Sequence, residues 1–203
     1  RVSSRLAADA TAALGLKTDV VSLRLDGGWH ERGAVNLDDD LATELDRVRS
    51  MDGEVQLDVT PNPDLTLRLQ SAYQRRRLTG LDTNASGAWL DRESWTEEAR
   101  VLLGASVLPD GKTQVRVDGT YDLFRDQAVQ DQRGGDALDT TSDAWEHRGG
   151  LQAIVVRDLG RGHVGSAGID GFVERSRSPR LKGGTGGRMG LGLYLQDEWR
   201  VGA

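Results

Sequence analysis

The side chains able to do chemistry are few in this sequence, and their spacing does not suit it. Its three histidines, His30, His147 and His163, lack the His-x-His spacing on a strand and the i, i+4 spacing on a helix that build metal sites. Cysteine is absent, which removes thiol catalysis, Cys-ligated zinc and any disulfide framework. Gly165-Ser166-Ala167-Gly168 lacks the first glycine of a nucleophile elbow and falls inside an expected strand. Gly183–Gly187, followed by Arg188, could cradle a phosphate, but it lacks a Lys-Ser/Thr pair and precedes a strand, so it reads as a flexible loop. Asp38-Asp39-Asp40 could touch a cation, yet three consecutive acids cannot converge as spaced Ca²⁺ ligands do, so a solvated loop is the better reading. Asp118 with Asp122, and Arg24, Arg68, Arg100 and Arg116, could be read as acid–base groups. Mixed charges on strands more often cross-pair. No catalytic residue, metal or cofactor is expected, and the chain does not read as an enzyme.

The elements that must carry these charges are strands. In Thr113–Phe124, Val115, Val117, Gly119, Tyr121 and Leu123 share one parity, while Gln114, Arg116, Asp118, Thr120 and Asp122 share the other. Successive strand side chains point to opposite faces, so one face is apolar and the other strongly polar over a dozen residues. Strands of soluble proteins are usually about 5–6 residues long, whereas a bilayer-spanning barrel needs about 10 with an apolar outside and a polar inside. No apolar run approaches the ~18 residues of a transmembrane helix, which leaves a barrel open because alternation averages out in hydropathy. The net charge of −6 argues against a general nucleic-acid binder.

The same alternation recurs along the chain. Strands are expected at Asp9–Leu16, Val20–Val35, Glu54–Thr60, Leu65–Leu78, Ser94–Val107, Thr113–Phe124, Ala144–Arg157, His163–Ser176 and Gly190–Val201, about nine in all. Short turns fall near positions 18, 62, 110 and 160. Between them lie longer polar connections at Asn36–Asp52, where Leu41–Val48 could form a short helix, and at Thr79–Glu93, Gln130–Asp143 and Pro179–Gly187. A repeat of roughly 44–50 residues could suggest propeller blades, but blades hold about four strands in 40–45 residues. Each period here holds one hairpin. Short turns at one end and long loops at the other is the asymmetry of outer-membrane barrels.

The aromatics follow the same geometry. Trp29, Tyr73 and Tyr121 lie about 8–10 residues after a short turn, and Trp95 and Trp145 about 12–15 residues before one, all on the apolar parity. They are expected to form an aromatic girdle at one membrane interface, the other reading being large side chains packed inside a sandwich. Phe172 departs from this pattern, since its parity is that of Asp170 and Glu174. On this assignment Leu103→Arg should be costly and Arg116→Leu much less so.

The last strand, Gly190–Val201, contains Tyr194-Leu195-Gln196-Asp197-Glu198-Trp199-Arg200, preceded by Ser178-Pro179-Arg180 and a Gly-rich loop. This segment resembles one recurrent in the barrel domains of TonB-dependent outer-membrane receptors. The resemblance implies an all-β, antiparallel up-and-down transmembrane barrel of about 22 strands filled by an N-terminal plug. Residues 1–203 would then be an incomplete piece of that barrel, with the plug and the remaining strands outside it. It further implies a Gram-negative outer membrane, membrane lipid, plug and TonB as partners, and uptake of a scarce ligand such as a metal–siderophore complex or cobalamin. Ligand contacts would come from the upper lumen and loops, where His30, Arg32, Arg76, Arg125 and Arg133 are the candidates by position. The alternatives are a passive channel without a plug and a soluble β-sandwich binding module.

Overall fold

The computed structural model describes residues 7–35, 46–84 and 86–199. They form nine strands: β1 (Ala7–Lys17), β2 (Val21–Arg32), β3 (Arg47–Asn62), β4 (Leu65–Thr83), β5 (Trp89–Val107), β6 (Thr113–Gln132), β7 (Thr140–Gly160), β8 (His163–Arg177) and β9 (Thr185–Trp199). Each pairs antiparallel with its chain neighbours in one sheet of order β1 to β9, which is an up-and-down meander. Among the described residues contacts between elements are confined to these sequential pairs, with no second sheet across the first as a sandwich would require.

The register places apolar side chains in continuous rows on one face. Leu16, Leu23, Leu57, Leu69, Leu103, Gly119, Leu151, Gly171 and Leu191 are successive partners across all nine strands. One row nearer the short turns run Val21, Val59, Leu67, Ala105, Val117, Ala153, Ile169 and Leu193. This face is not covered by protein: Leu103, in the middle of the sheet, is 60% exposed and Leu151 62%. The only buried hydrophobics among the described residues are Val35 and Leu90. A chain that leaves such rows bare lacks the core of a water-soluble domain and requires an apolar solvent outside.

Most strands run further than alternation alone indicates. The Thr79–Glu93 connection is largely strand, leaving only a tight turn between Thr83 and Trp89, and β6 continues past Phe124 to Gln132. Beyond the apolar band both faces of these hairpins are polar, so the period-2 hydropathy signal disappears while the ladder continues. Cross-strand ion pairs lie beyond the apolar band: Arg75 with Glu97 at 3.3 Å, Arg125 with Asp143 at 3.1 Å, and Arg77 with Glu93. The helix expected over Leu41–Val48 lies partly outside the described residues. Arg47 and Val48, which are described, belong to β3, paired with Thr79 and Leu78.

The short turns are built by local chemistry. Asp110 accepts from the Lys112 and Thr113 backbone N–H groups at 3.0 and 2.6 Å and from the Thr113 hydroxyl at 3.0 Å. Gly111 has φ of +68°, a conformation glycine reaches without steric cost.

Candidate functional site

The face opposite the apolar rows lines the lumen of the partial barrel. Its central row runs Asp26, Glu54, Ala72, Arg100, Asp122, Arg148, Glu174 and Arg188, all partners in the strand register. Guanidinium–carboxylate contacts tie this region together: Arg24 to Asp26 at 2.6 Å, Arg100 to Asp122 at 2.5 Å, and Arg188 to Glu174 at 2.8 Å. Nearer the short turns, Arg68 meets Asp58 at 2.9 Å and Arg116 meets Asp118 at 2.6 Å. Asp118 and Glu174 are buried, so their arginine partners satisfy charges that lie within the wall itself.

A concavity of about 480 Å³ opens on this face and is lined by Asp52, Glu54, Gln74, Glu98, Arg100, Asp122, Phe124, Glu146 and Arg148, among others. Its carboxylates outnumber its two guanidinia, so it offers a hydrated, net acidic surface that includes Phe124. To one side, the Arg148 and Arg188 guanidinia lie 4.8 and 5.8 Å from the Phe172 ring centre. This explains the parity of Phe172: its ring is a lumenal platform for cations.

The five ligand-contact candidates are not brought together. His30 faces the lumen, its Nδ1 2.7 Å from Asp9 and its Nε2 3.6 Å from Asp52. Arg76 shares its register row two strands away, through Ser50. Arg32 is one lumenal position further up β2, with Nη2 3.5 Å from the Asp46 carbonyl oxygen. Arg125 is not on the lumenal face. It is the register partner of Trp145 and Glu97 on the outer parity, because β6 continues unbroken past Phe124. Arg133 lies in the turn after β6 and donates both Nε and Nη2 to Asp91 at 2.7 Å, also on the outer side. There, above the apolar band, the Arg133 guanidinium holds the Asp91 carboxyl below the usual carboxylate range.

The five aromatics expected at a membrane interface all carry the outer parity: Trp29 and Trp145 in one register row, Tyr73 and Tyr121 nearer the band, and Trp95 one row beyond. Among the described residues no group of three or more histidine, cysteine or acidic side chains could hold a metal ion. Also missed from sequence were glycines that admit a neighbour's ring: Gly168 beneath Tyr194 and Gly190 beneath Phe172. Their signal is a lumenal-parity glycine opposite a lumenal aromatic, which emerges only once register is known.

Long strands, a single meander, an apolar outside and a charged inside are the attributes of a membrane barrel wall. Among solved structures, the chain is similar to the ferric yersiniabactin uptake receptor FyuA from Yersinia pestis. The identity is 13%, the TM-score is 0.57, and the match covers 94% of this chain and 34% of that one. The fold is that of part of a β-barrel wall. A second similarity, to the copper transporter OprC, has 12% identity and a TM-score of 0.44 and covers 98% of this chain and 42% of that one. The chain thus spans about a third of the first of these proteins. No protein-family model and no curated protein matches the sequence.

Proposed function

We propose that these 203 residues are part of the barrel wall of a TonB-dependent outer-membrane receptor that takes up a scarce ligand, such as a metal–siderophore complex or cobalamin. The observation that carries this reading is the two-faced meander: unbroken apolar rows outside and a laddered, charged lumen inside, in the fold of an uptake receptor. Under this reading the protein resides in the outer membrane of a Gram-negative cell. Its plug and remaining strands belong to parts of the protein outside this sequence. Lumenal charges such as His30 and Arg76 face that plug or the passing ligand, while Arg32 and the turn around Arg133 lie toward the outer rim. No catalytic step is assigned to the chain.

The test is uptake by cells with and without the full-length protein, using radiolabelled iron on a hydroxamate siderophore and, separately, labelled cyanocobalamin. Energy-coupled uptake of either that stops with a protonophore supports the reading. Uptake of small solutes that continues with the protonophore marks a passive pore instead.

A further inference from the structure

On the outer face of β3 and β4 the apolar positions give way abruptly to arginine. Along β4 the outward residues run Leu65, Leu67, Leu69, Ser71, Tyr73, then Arg75 and Arg77. Along β3 the same face reads Val59, Leu57, Val55, Gly53, Met51, then Arg49 and Arg47. Arg75 and Arg77 lie two and four residues past Tyr73, which at ~3.3 Å per residue and a ~45° tilt is about 5–9 Å beyond the apolar band. That is the depth of a lipid headgroup layer.

Two features of this cluster point to an anion. Arg49 is the direct register partner of Arg77, and like charges facing each other across strands are destabilising unless something bridges them. Among the described residues three carboxylates serve the four guanidinia: Glu31 serves both Arg47 and Arg49, Glu97 serves Arg75, and Glu93 serves Arg77. A guanidinium carries five N–H donors, more than one shared carboxylate takes. All four arginine side chains are close to half exposed, between 45% and 49%. Between them are hollows of about 130 and 190 Å³, the second walled also by Trp95. The Trp95 ring centre lies 5.8 Å from the Arg77 guanidinium carbon, an interfacial aromatic beside an interfacial cation. Behind the same strands the lumen carries Asp52 and Glu54 beside Arg76, so the four-arginine cluster is concentrated on the outer face.

We propose that Arg47, Arg49, Arg75 and Arg77 form an outward-facing site for the phosphate of an anionic lipid headgroup. Planar guanidinia donating in pairs to phosphate oxygens suit this chemistry. The site holds the barrel wall at a fixed depth against the leaflet on the long-extension side. This inference rests on the membrane-wall reading above.

The experiment uses the full-length protein in dodecyl maltoside and titrates it with bisphosphorylated lipid A, with the dephosphorylated lipid and inorganic phosphate as separate probes. The wild type should bind the phosphorylated lipid, and R47Q/R49Q/R75Q/R77Q should bind it about tenfold more weakly or worse. Arg148→Gln, on the lumenal face, should bind as the wild type does. Equal binding by wild type and the quadruple variant overturns the site. Equal binding of the dephosphorylated lipid, or displacement by millimolar inorganic phosphate, overturns the lipid-phosphate assignment. If the quadruple variant loses its folded electrophoretic mobility, R75Q/R77Q carries the test, with a severalfold loss expected and no loss overturning the site. Recovery of the wild type in the soluble fraction without detergent would remove the membrane reading and the site together. A membrane-embedded variant that keeps its lipid affinity removes the site alone.

Discussion

Arg100 donates through Nε to Asp122 at 2.5 Å across β5 and β6, while Val101 and Tyr121, the next residue along on one strand and the preceding one on the other, are partners on the opposite face. One register therefore specifies two surfaces with opposite solvents. A slip of one residue would put Arg100 into lipid and Val101 into the lumen, so the hydrophobic penalty fixes the pairing.

That relationship predicts a sharp asymmetry between adjacent positions. Leu103→Arg, on the outer face, should destabilise the full-length protein by about 2–4 kcal/mol in urea unfolding from lipid vesicles. Arg100→Gln removes a lumenal pair whose arginine side chain is 72% exposed, and should cost under about 1 kcal/mol. Equal costs at the two positions would contradict the facing of the sheet.

Arg116 behaves differently from Arg100. On parity alone it reads as a replaceable lumenal charge, but its Nε lies 2.6 Å from Asp118, which is only 7% exposed beside Gly104. Arg116→Leu leaves that carboxylate without its cation and should cost about 1–3 kcal/mol. Adding Asp118→Asn should recover part of the loss, and a strictly additive double variant would contradict the coupling.

At Gly168 a Cβ would run into the Tyr194 ring across β8 and β9. Gly168→Ala should destabilise by about 1–3 kcal/mol through overpacking. In a Tyr194→Ser background the same change should be close to neutral. Unfolding midpoints of the two single variants and the double variant decide this.

The turn at Asp110 is acid-sensitive. The Lys112 N–H foremost, then the Thr113 hydroxyl, hold its carboxyl below the usual range. Because the folded value is lowered, the contribution is complete above the ordinary carboxylate value of about 3.9 and is lost as pH falls through the folded one. Amide-exchange protection at Lys112 and Thr113 should therefore fall on acidification below about pH 4. Asp110→Asn should remove that pH dependence, and unchanged protection of the wild type in acid would count against the turn assignment.

The membrane-spanning half of the hairpins was legible in sequence because a lipid outside and water inside impose a period of two, as at Val115–Leu123. The outer extensions were not. From Thr79 to Thr83, Trp89 to Glu93 and Arg125 to Gln132 the ladder continues where both faces meet water, so polarity carries no clear period and these stretches read as connections. Arg125, a candidate for the upper lumen and loops, lies just past the expected strand end at Phe124, and only the unbroken β6 register shows that it faces outward. The burial of Asp118 depends on Gly104 in the neighbouring strand, which no local window reports.

The central claim is that alternate residues of one strand meet lipid and water. These 203 residues contain no cysteine, so single cysteines at positions 99 to 107 of β5 can carry spin labels, with any cysteine elsewhere in the full-length protein replaced by serine. In bilayers, labels at Ala99, Val101, Leu103 and Ala105 should be accessible to oxygen and shielded from a water-soluble nickel chelate. Labels at Arg100, Leu102, Gly104 and Ser106 should show the reverse. Accessibility that does not alternate, or all positions open to the nickel chelate, would contradict a membrane-spanning wall.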